Sequence, residues 1–200
     1  MKKNVLIYLH GENATGSDYA NFKFANFDMI CPTAPLRDGI NSWIDYDDNN
    51  PTNKSINNIS KQLLGIIKKQ VKIKKKSCRV FIGGSSQGAA LAMHIYALYC
   101  SQYKELGGFM GCRSDRLYHN TNVEKLKNYT SPINFYCGGK DIWDKGDDKN
   151  ITVKKCINNY KQFLEKQNPK LDVRIILIGN ANHKQMGELE YNCIKNFLKI

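Results

Sequence analysis

Val80 to His94 reads VFIGGSSQGAALAMH, two adjacent serines held between glycines inside an otherwise apolar stretch. Its first half has the continuous apolar character of a strand buried on both faces. Its second half, running on through AALAMHIYALYC, has the character of a helix covered on most sides. Between them, Gly84-Ser85-Ser86-Gln87-Gly88 fits the pattern G-x-S-x-G. So sharp a reversal from strand to helix forces the central residue into a strained backbone conformation, and only small residues fit two positions to either side. Ser86 is that central residue and Ser85 its neighbour. The reversal lifts the Ser86 hydroxyl above the sheet, at a helix N-terminus whose dipole favours developing negative charge. The bland alternative is a tight turn without chemistry, and the rest of the chain decides between the two.

Short apolar runs recur along the chain: NVLIYLH from Asn4, FDMICP from Phe27, CRVFIGG from Cys78, LGGFMGC from Leu106, PINFYCGG from Pro132 and DVRIILIG from Asp172. Helical spacing separates them at Ile56 to Lys72, Gln87 to Tyr103, Ile151 to Gln167 and Gly187 to Leu198. In the first of these, Ile59, Leu63, Leu64, Ile66, Ile67 and Val71 are expected on one stripe. About six strands alternating with helices predict a mostly parallel sheet between helical layers. No repeat or Pro/Gly-rich linker divides the chain, so residues 1–200 are expected to form one three-layer α/β domain without a large cap domain. The long connections Glu12 to Asn21, Thr33 to Pro51 and Gly138 to Lys149 follow strands, at the edge where open α/β sheets carry their sites.

Thirty Lys and Arg against 18 Asp and Glu give a net charge of +12, which invites a nucleic-acid or anionic-membrane reading. The one dense basic run, KKQVKIKKKSCR from Lys68 to Arg79, has no interleaved aromatic residue and reads as a solvated helix end. That argues against nucleic acid. Seven cysteines without a C-x-x-C pair fit neither a disulfide framework nor a zinc site, and imply a reducing, cytoplasmic setting. The apolar run after Met1 ends within about six residues, too short for a signal h-region or a membrane span.

A nucleophilic serine needs a base, and the base an orienting acid, in the chain order Ser, Asp or Glu, His for this arrangement of strands. His94 lies within the helix after Ser86 and His119 in a polar loop. His183, in NANHKQMGE after the last strand, stands where a base must be presented. Asp141 lies nearest the preceding strand end in PINFYCGGKDIWDKGDD, with Asp144 as the alternative acid. Carbonyl attack creates an oxyanion, which two preorganised backbone N–H groups stabilise best. The amide of Gln87 is one. The amide of Glu12, after His10-Gly11 at the end of VLIYL, is the natural second.

These stretches together resemble the acyl-protein thioesterase, lysophospholipase and carboxylesterase family of small α/β-hydrolases. The resemblance spans nearly the whole chain, on YLHGENATGSDY, CPTAPLRDGINSWIDYDD, GGSSQGAALAMH, YCGGKDIW and NANHKQM. It implies Ser86 as nucleophile, Asp141 as orienting acid, His183 as base, the Glu12 and Gln87 amides as oxyanion hole, and Trp43 bordering the acyl-binding face. The family's L-H-G-x-G-D becomes LHGENA here, so Asn13 replaces a glycine, Ala14 an acid and Glu12 an apolar residue. Cys137 stands in the place of a histidine, and Asn182 precedes His183 where a small residue is common.

The expected activity is a serine hydrolase cleaving acyl thioesters or carboxylic esters through an acyl-enzyme, with no metal or organic cofactor. Its partners are then an acylated protein or a lipid or small ester, with peripheral contact to anionic membrane. A small-ester carboxylesterase or lysophospholipase would use the same triad. A binding protein for lipid or nucleic acid, on an idle hydrolase fold, is the alternative of another class.

Overall fold

The computed structural model describes residues 4–44, 53–74, 79–100, 106–114, 126, 131–142 and 152–199. The main-sheet strands are β1 (Asn4–Leu9), β2 (Phe27–Ile30), β5 (Val80–Ser85), β6 (Leu106–Cys112), β7 (Ile133–Cys137) and β8 (Val173–Leu177). They lie in the order β2-β1-β5-β6-β7-β8, and every neighbouring pair is parallel. Each expected run thus becomes a strand. After β2 the chain crosses to the other side of β1, so the connections from β1 and β5 diverge between those two strands. Such a switch point opens a crevice at the carboxyl ends, where parallel sheets place their ligands.

The helices α1 (Asn53–Lys74), α2 (Gln87–Cys100) and α3 (Val153–Gln167) cover one face. There Val5, Ile7 and Leu9 of β1 join Phe109, Ile133 and Phe135 in one core. The alternate residues Leu6 and Tyr8 turn to the other face, where Met110, Cys112 and Tyr136 meet α5 (Glu190–Leu198) and a 3-10 turn at Gly16–Tyr19. The period of two along a strand divides the layers. α2 is buried from Ala89 through Tyr99, because it lies between the sheet and α1. In α3 a stripe of Val153, Ile157, Tyr160 and Leu164 faces the sheet, and the Thr152 hydroxyl caps its start by accepting from the Lys155 amide.

Three expectations change. Ile66 is exposed, whereas Ile56, Leu63, Leu64 and Ile67 are buried; one residue is roughly 100° of helix, enough to rotate Ile66 off the packed stripe. Val71 and residues 101–103 of the expected helix end lie outside the described side chains and residues. Gly187 to Leu198 is not one helix. α4 (His183–Glu188) begins four residues earlier and ends at Leu189, from which α5 starts afresh. Asn182 and Gln185 form a reciprocal capping box that fixes the earlier start. The long connection after Thr33 also contains a hairpin, β3 (Leu36–Arg37) and β4 (Ile40–Asn41). Its turn residues Asp38 and Gly39 both have positive φ, the signature of a tight Asp-Gly hairpin turn. The Asn13 amide donates to the Asn41 carbonyl at 2.9 Å, so the hairpin is pinned against the turn after β1.

Candidate active site

Ser86 directly follows β5 with φ of 49°, in the left-handed region that non-glycine residues seldom adopt. Its amide donates to the Cys112 carbonyl at 2.9 Å, and its carbonyl accepts the Ala89 amide at 2.9 Å as α2 begins. The glycines on either side are sterically required. A Cβ on Gly84 would stand 2.6 Å from the Gly88 carbonyl carbon, and one on Gly88 would stand 2.2 Å from the His10 carbonyl oxygen. The second contact seats the start of α2 directly on the turn after β1. The serine turn and the Gly11 turn are therefore neighbours, with the Cβ position of Gly11 3.6 Å from Ser86 Cβ.

Gln87 is buried and locks its surroundings through its side chain. Oε1 accepts the Trp43 amide at 2.7 Å, while Nε2 donates to Ser42 Oγ at 3.0 Å and approaches Glu12 Oε1 at 3.4 Å. The Glu12 carboxylate is thus drawn sideways to an amide. Asn13, in the place of a glycine, takes φ of 62°, a conformation asparagine tolerates better than most residues. Trp43 is 1% exposed, lies on the His10 ring and donates Nε1–H to the His10 carbonyl at 2.8 Å. It props the turn after β1 from behind. His10 accepts the Ala34 amide at Nε2, so its proton sits on Nδ1, donated to the Gly11 carbonyl at 2.7 Å. Burial pushes the His10 pKa down and keeps that neutral ring.

On the other side of the crevice, the turns after β7 and β8 are zipped together. Gly139 donates to the Gly179 carbonyl at 2.9 Å and Lys140 to the Ala181 carbonyl at 3.2 Å. A Cβ on Gly138 would stand 1.8 Å from the Ala181 oxygen, so only glycine permits the approach. Its consequence is the pair beyond. Asp141, fully buried, places Oδ1 2.8 Å from Nδ1 of His183, the first residue of α4. The Asp141 carbonyl accepts the Val153 amide at 2.9 Å, which holds the aspartate to the start of α3. Asp144 and His119 lie outside the described residues. His94 is buried in α2, where burial lowers its pKa to about 3, and it takes no part at the sheet edge. Cys137 is buried beneath the aspartate, its pKa raised to about 11 by burial and then by Asp141.

Sequence reasoning passed over Arg113, Ser85 and Glu190. Arg113 follows β6 with φ of 44°, and its Nε donates to Ser85 Oγ at 2.7 Å. Its Nη1 lies 3.4 Å from the His183 carbonyl and its Nη2 3.7 Å from Glu190 Oε2. Glu190, 3% exposed, accepts the hydroxyls of Tyr8 and Tyr19. Burial pushes its pKa up, opposed by Arg113 and by hydrogen bonds from Tyr8, Tyr19 and Ser85. The signal was there in part: a cation directly after a wholly apolar strand is a charge the fold must place somewhere.

A parallel sheet of this order, whose third strand runs into its helix through a glycine-walled serine turn, is the architecture of the α/β-hydrolases. More narrowly, the chain belongs to the phospholipase/carboxylesterase family, whose profile matches residues 1–168. That membership makes it an ester-type hydrolase. The match contains Ser86 and Asp141 and ends before His183. A SOBER1 variant from Arabidopsis thaliana has a similar structure, with a TM-score of 0.72 at 20% identity over 98% of this chain and 99% of that one. Acyl-protein thioesterase 2 from Zea mays gives 0.71 at 15% identity, over 98% and 94% of the two chains. At such identities the likeness is one of fold. Among the described residues no helix is long and apolar enough to cross a membrane.

Proposed function

We propose that this chain hydrolyses acyl esters or thioesters by a serine mechanism, with Ser86 as nucleophile, His183 as base and Asp141 as the orienting acid. The observation that carries the reading is the 2.8 Å contact of buried Asp141 with His183 Nδ1, on the same carboxyl edge as the strained Ser86 turn. An aspartate on Nδ1 keeps the proton there and leaves Nε2 as the basic nitrogen. His183 takes the Ser86 proton as the hydroxyl attacks the acyl carbonyl, and the tetrahedral oxyanion forms beside the amides of Gln87 and Glu12. Protonated His183 then gives its proton to the departing thiol or alcohol. Water, deprotonated by the same ring, attacks the acyl-enzyme and regenerates the serine. Asp141 stabilises the imidazolium in both halves. The shared fold with an acyl-protein thioesterase supports keeping acylated protein among the substrates to be tried, beside simple esters. Trp43 contributes by holding the turn that carries Glu12.

Intact-mass detection of a fluorophosphonate adduct tests the reading. A single adduct on the wild-type chain, absent from Ser86→Ala, is expected. A folded wild-type protein that takes no label removes the mechanism. Turnover of palmitoyl thioesters beside p-nitrophenyl esters then separates the substrate classes.

A further inference from the structure

Resting on that reading, we infer that Arg113 is a positioning residue that holds the nucleophile turn and the base turn of this hydrolase at one spacing. The guanidinium lies among the turns that carry the site. Nε donates to Ser85, the residue directly before the nucleophile, at 2.7 Å. Nη1 reaches the carbonyl of His183 itself at 3.4 Å and packs on α4, 3.1 Å from the Cβ position of Gly187. Nη2 lies 3.4 Å from the Cβ position of Gly11, in the turn after β1. Three separate loops thus share one planar group.

The backbone of Arg113 is fixed as firmly. Its amide donates to the Tyr136 carbonyl at 2.8 Å, and the carbonyl of its neighbour Cys112 accepts the Ser86 amide at 2.9 Å. The φ of 44° at Arg113 is the consequence, since it turns the side chain back beneath the site. Such strain persists only where the surroundings over-determine it. Buried Glu190, 3.7 Å from Nη2, supplies the counter-charge, and Tyr8 and Tyr19 satisfy the rest of its carboxylate. No lysine could replace this group. An ammonium is a point donor, whereas the guanidinium fork addresses Ser85, His183 and Glu190 from three nitrogens at once.

A link between two catalytic turns affects the rate more than substrate affinity, because displacement of the reacting atoms by about 1 Å can lower turnover about 10²-fold. The test measures kcat and KM on a p-nitrophenyl ester, per site titrated with fluorophosphonate, for wild type, Arg113→Ala, Arg113→Lys and Ser85→Ala. Arg113→Ala is expected to lose about 10- to 100-fold in kcat with KM within about threefold. Guanidinium ion at millimolar concentration restores much of it; methylammonium does not. Ser85→Ala loses less, and combined with Arg113→Ala it adds nothing further, as residues in one network are non-additive. A role in folding alone would lower the number of titrated sites while leaving kcat per site and guanidinium response unchanged, and that result overturns the inference. Should Arg113→Ala fail to fold, unaltered kcat in both Arg113→Lys and Ser85→Ala overturns it equally. Wild-type protein that takes no label removes the serine mechanism and this inference with it. Labelled wild type with unaltered variants removes this inference alone.

Discussion

The two faces of the sheet are held together in different ways. On the face of α1, α2 and α3, the core from Val5, Ile7 and Leu9 to Phe109, Phe135 and Tyr160 is overwhelmingly hydrocarbon. On the face of α5, apolar Leu6, Met110 and Phe197 surround a polar chain of Tyr8, Tyr19, Glu190, Arg113 and Ser85. Apolar contacts are non-directional and stabilise in proportion to area, so the first face fixes that the sheet is covered. Hydrogen bonds have narrow geometry, so the second face fixes where its loops end. The candidate site lies at the rim of the directional face.

The strongest break comes at the site itself. Ser86→Ala should lower kcat by about 10⁴-fold or more in a chain that still folds. Ser86→Gly should be as inactive and yet gain about 1 kcal/mol in urea denaturation, because glycine adopts a positive φ without strain. A glycine variant no more stable than wild type would contradict the strain assigned to that turn. Next in size is Phe109→Ala in the hydrocarbon face, expected to lose about 3–5 kcal/mol of stability while kcat per titrated site stays near wild type. If turnover per site fell in step with stability, the division of labour between the faces would fail. Gly138→Ala should then separate the β7 and β8 turns, with a loss of about 10²-fold in kcat from a displaced Asp141. Wild-type turnover in that variant would show that the zipped turns do not set the aspartate.

The effect that needs no substitution to see is the pH dependence of the hydrocarbon face. Burial holds His94 at about 3, below its ordinary 6.5. The unfolded chain therefore binds this proton between those values while the folded one does not. Stability should fall as pH falls from about 6.5 toward 3, by up to about 1.4 kcal/mol per unit from this group, with His10 acting in the same direction. Denaturation midpoints measured from pH 7 to 4, with His94→Leu as control, check the slope; an equal slope in the control would assign it elsewhere.

Local steric demands were readable from the sequence. Gly84 is fixed by contacts with Gly88 and Ala89 in its own turn, and LGGFMGC marked its strand from Leu106 to Cys112 without error, whereas Gly88 is fixed by the His10 carbonyl across the sheet edge. The Asp38-Gly39 signal was equally local and was passed over inside a long connection. The break at Leu189 carried no such mark, because the apolar spacing runs across it, and α5 begins on Glu190, buried at 3% exposure. Arg113 was beyond reach for a different reason. Its partners are 28, 70 and 77 positions away in Ser85, His183 and Glu190, and periodicity cannot see across such gaps.

The contrast between α2 and α4 has a consequence in time. The amides behind Ser86 belong to a helix walled in on every side, whereas His183 begins a helix of six residues with exposed flanks. Deuterium should enter α4 through brief local openings and reach α2 only when the whole domain opens. On the proposed mechanism, each such opening would withdraw His183 while Ser86 keeps its place, so exchange at α4 would be expected to disarm the site without unfolding the domain.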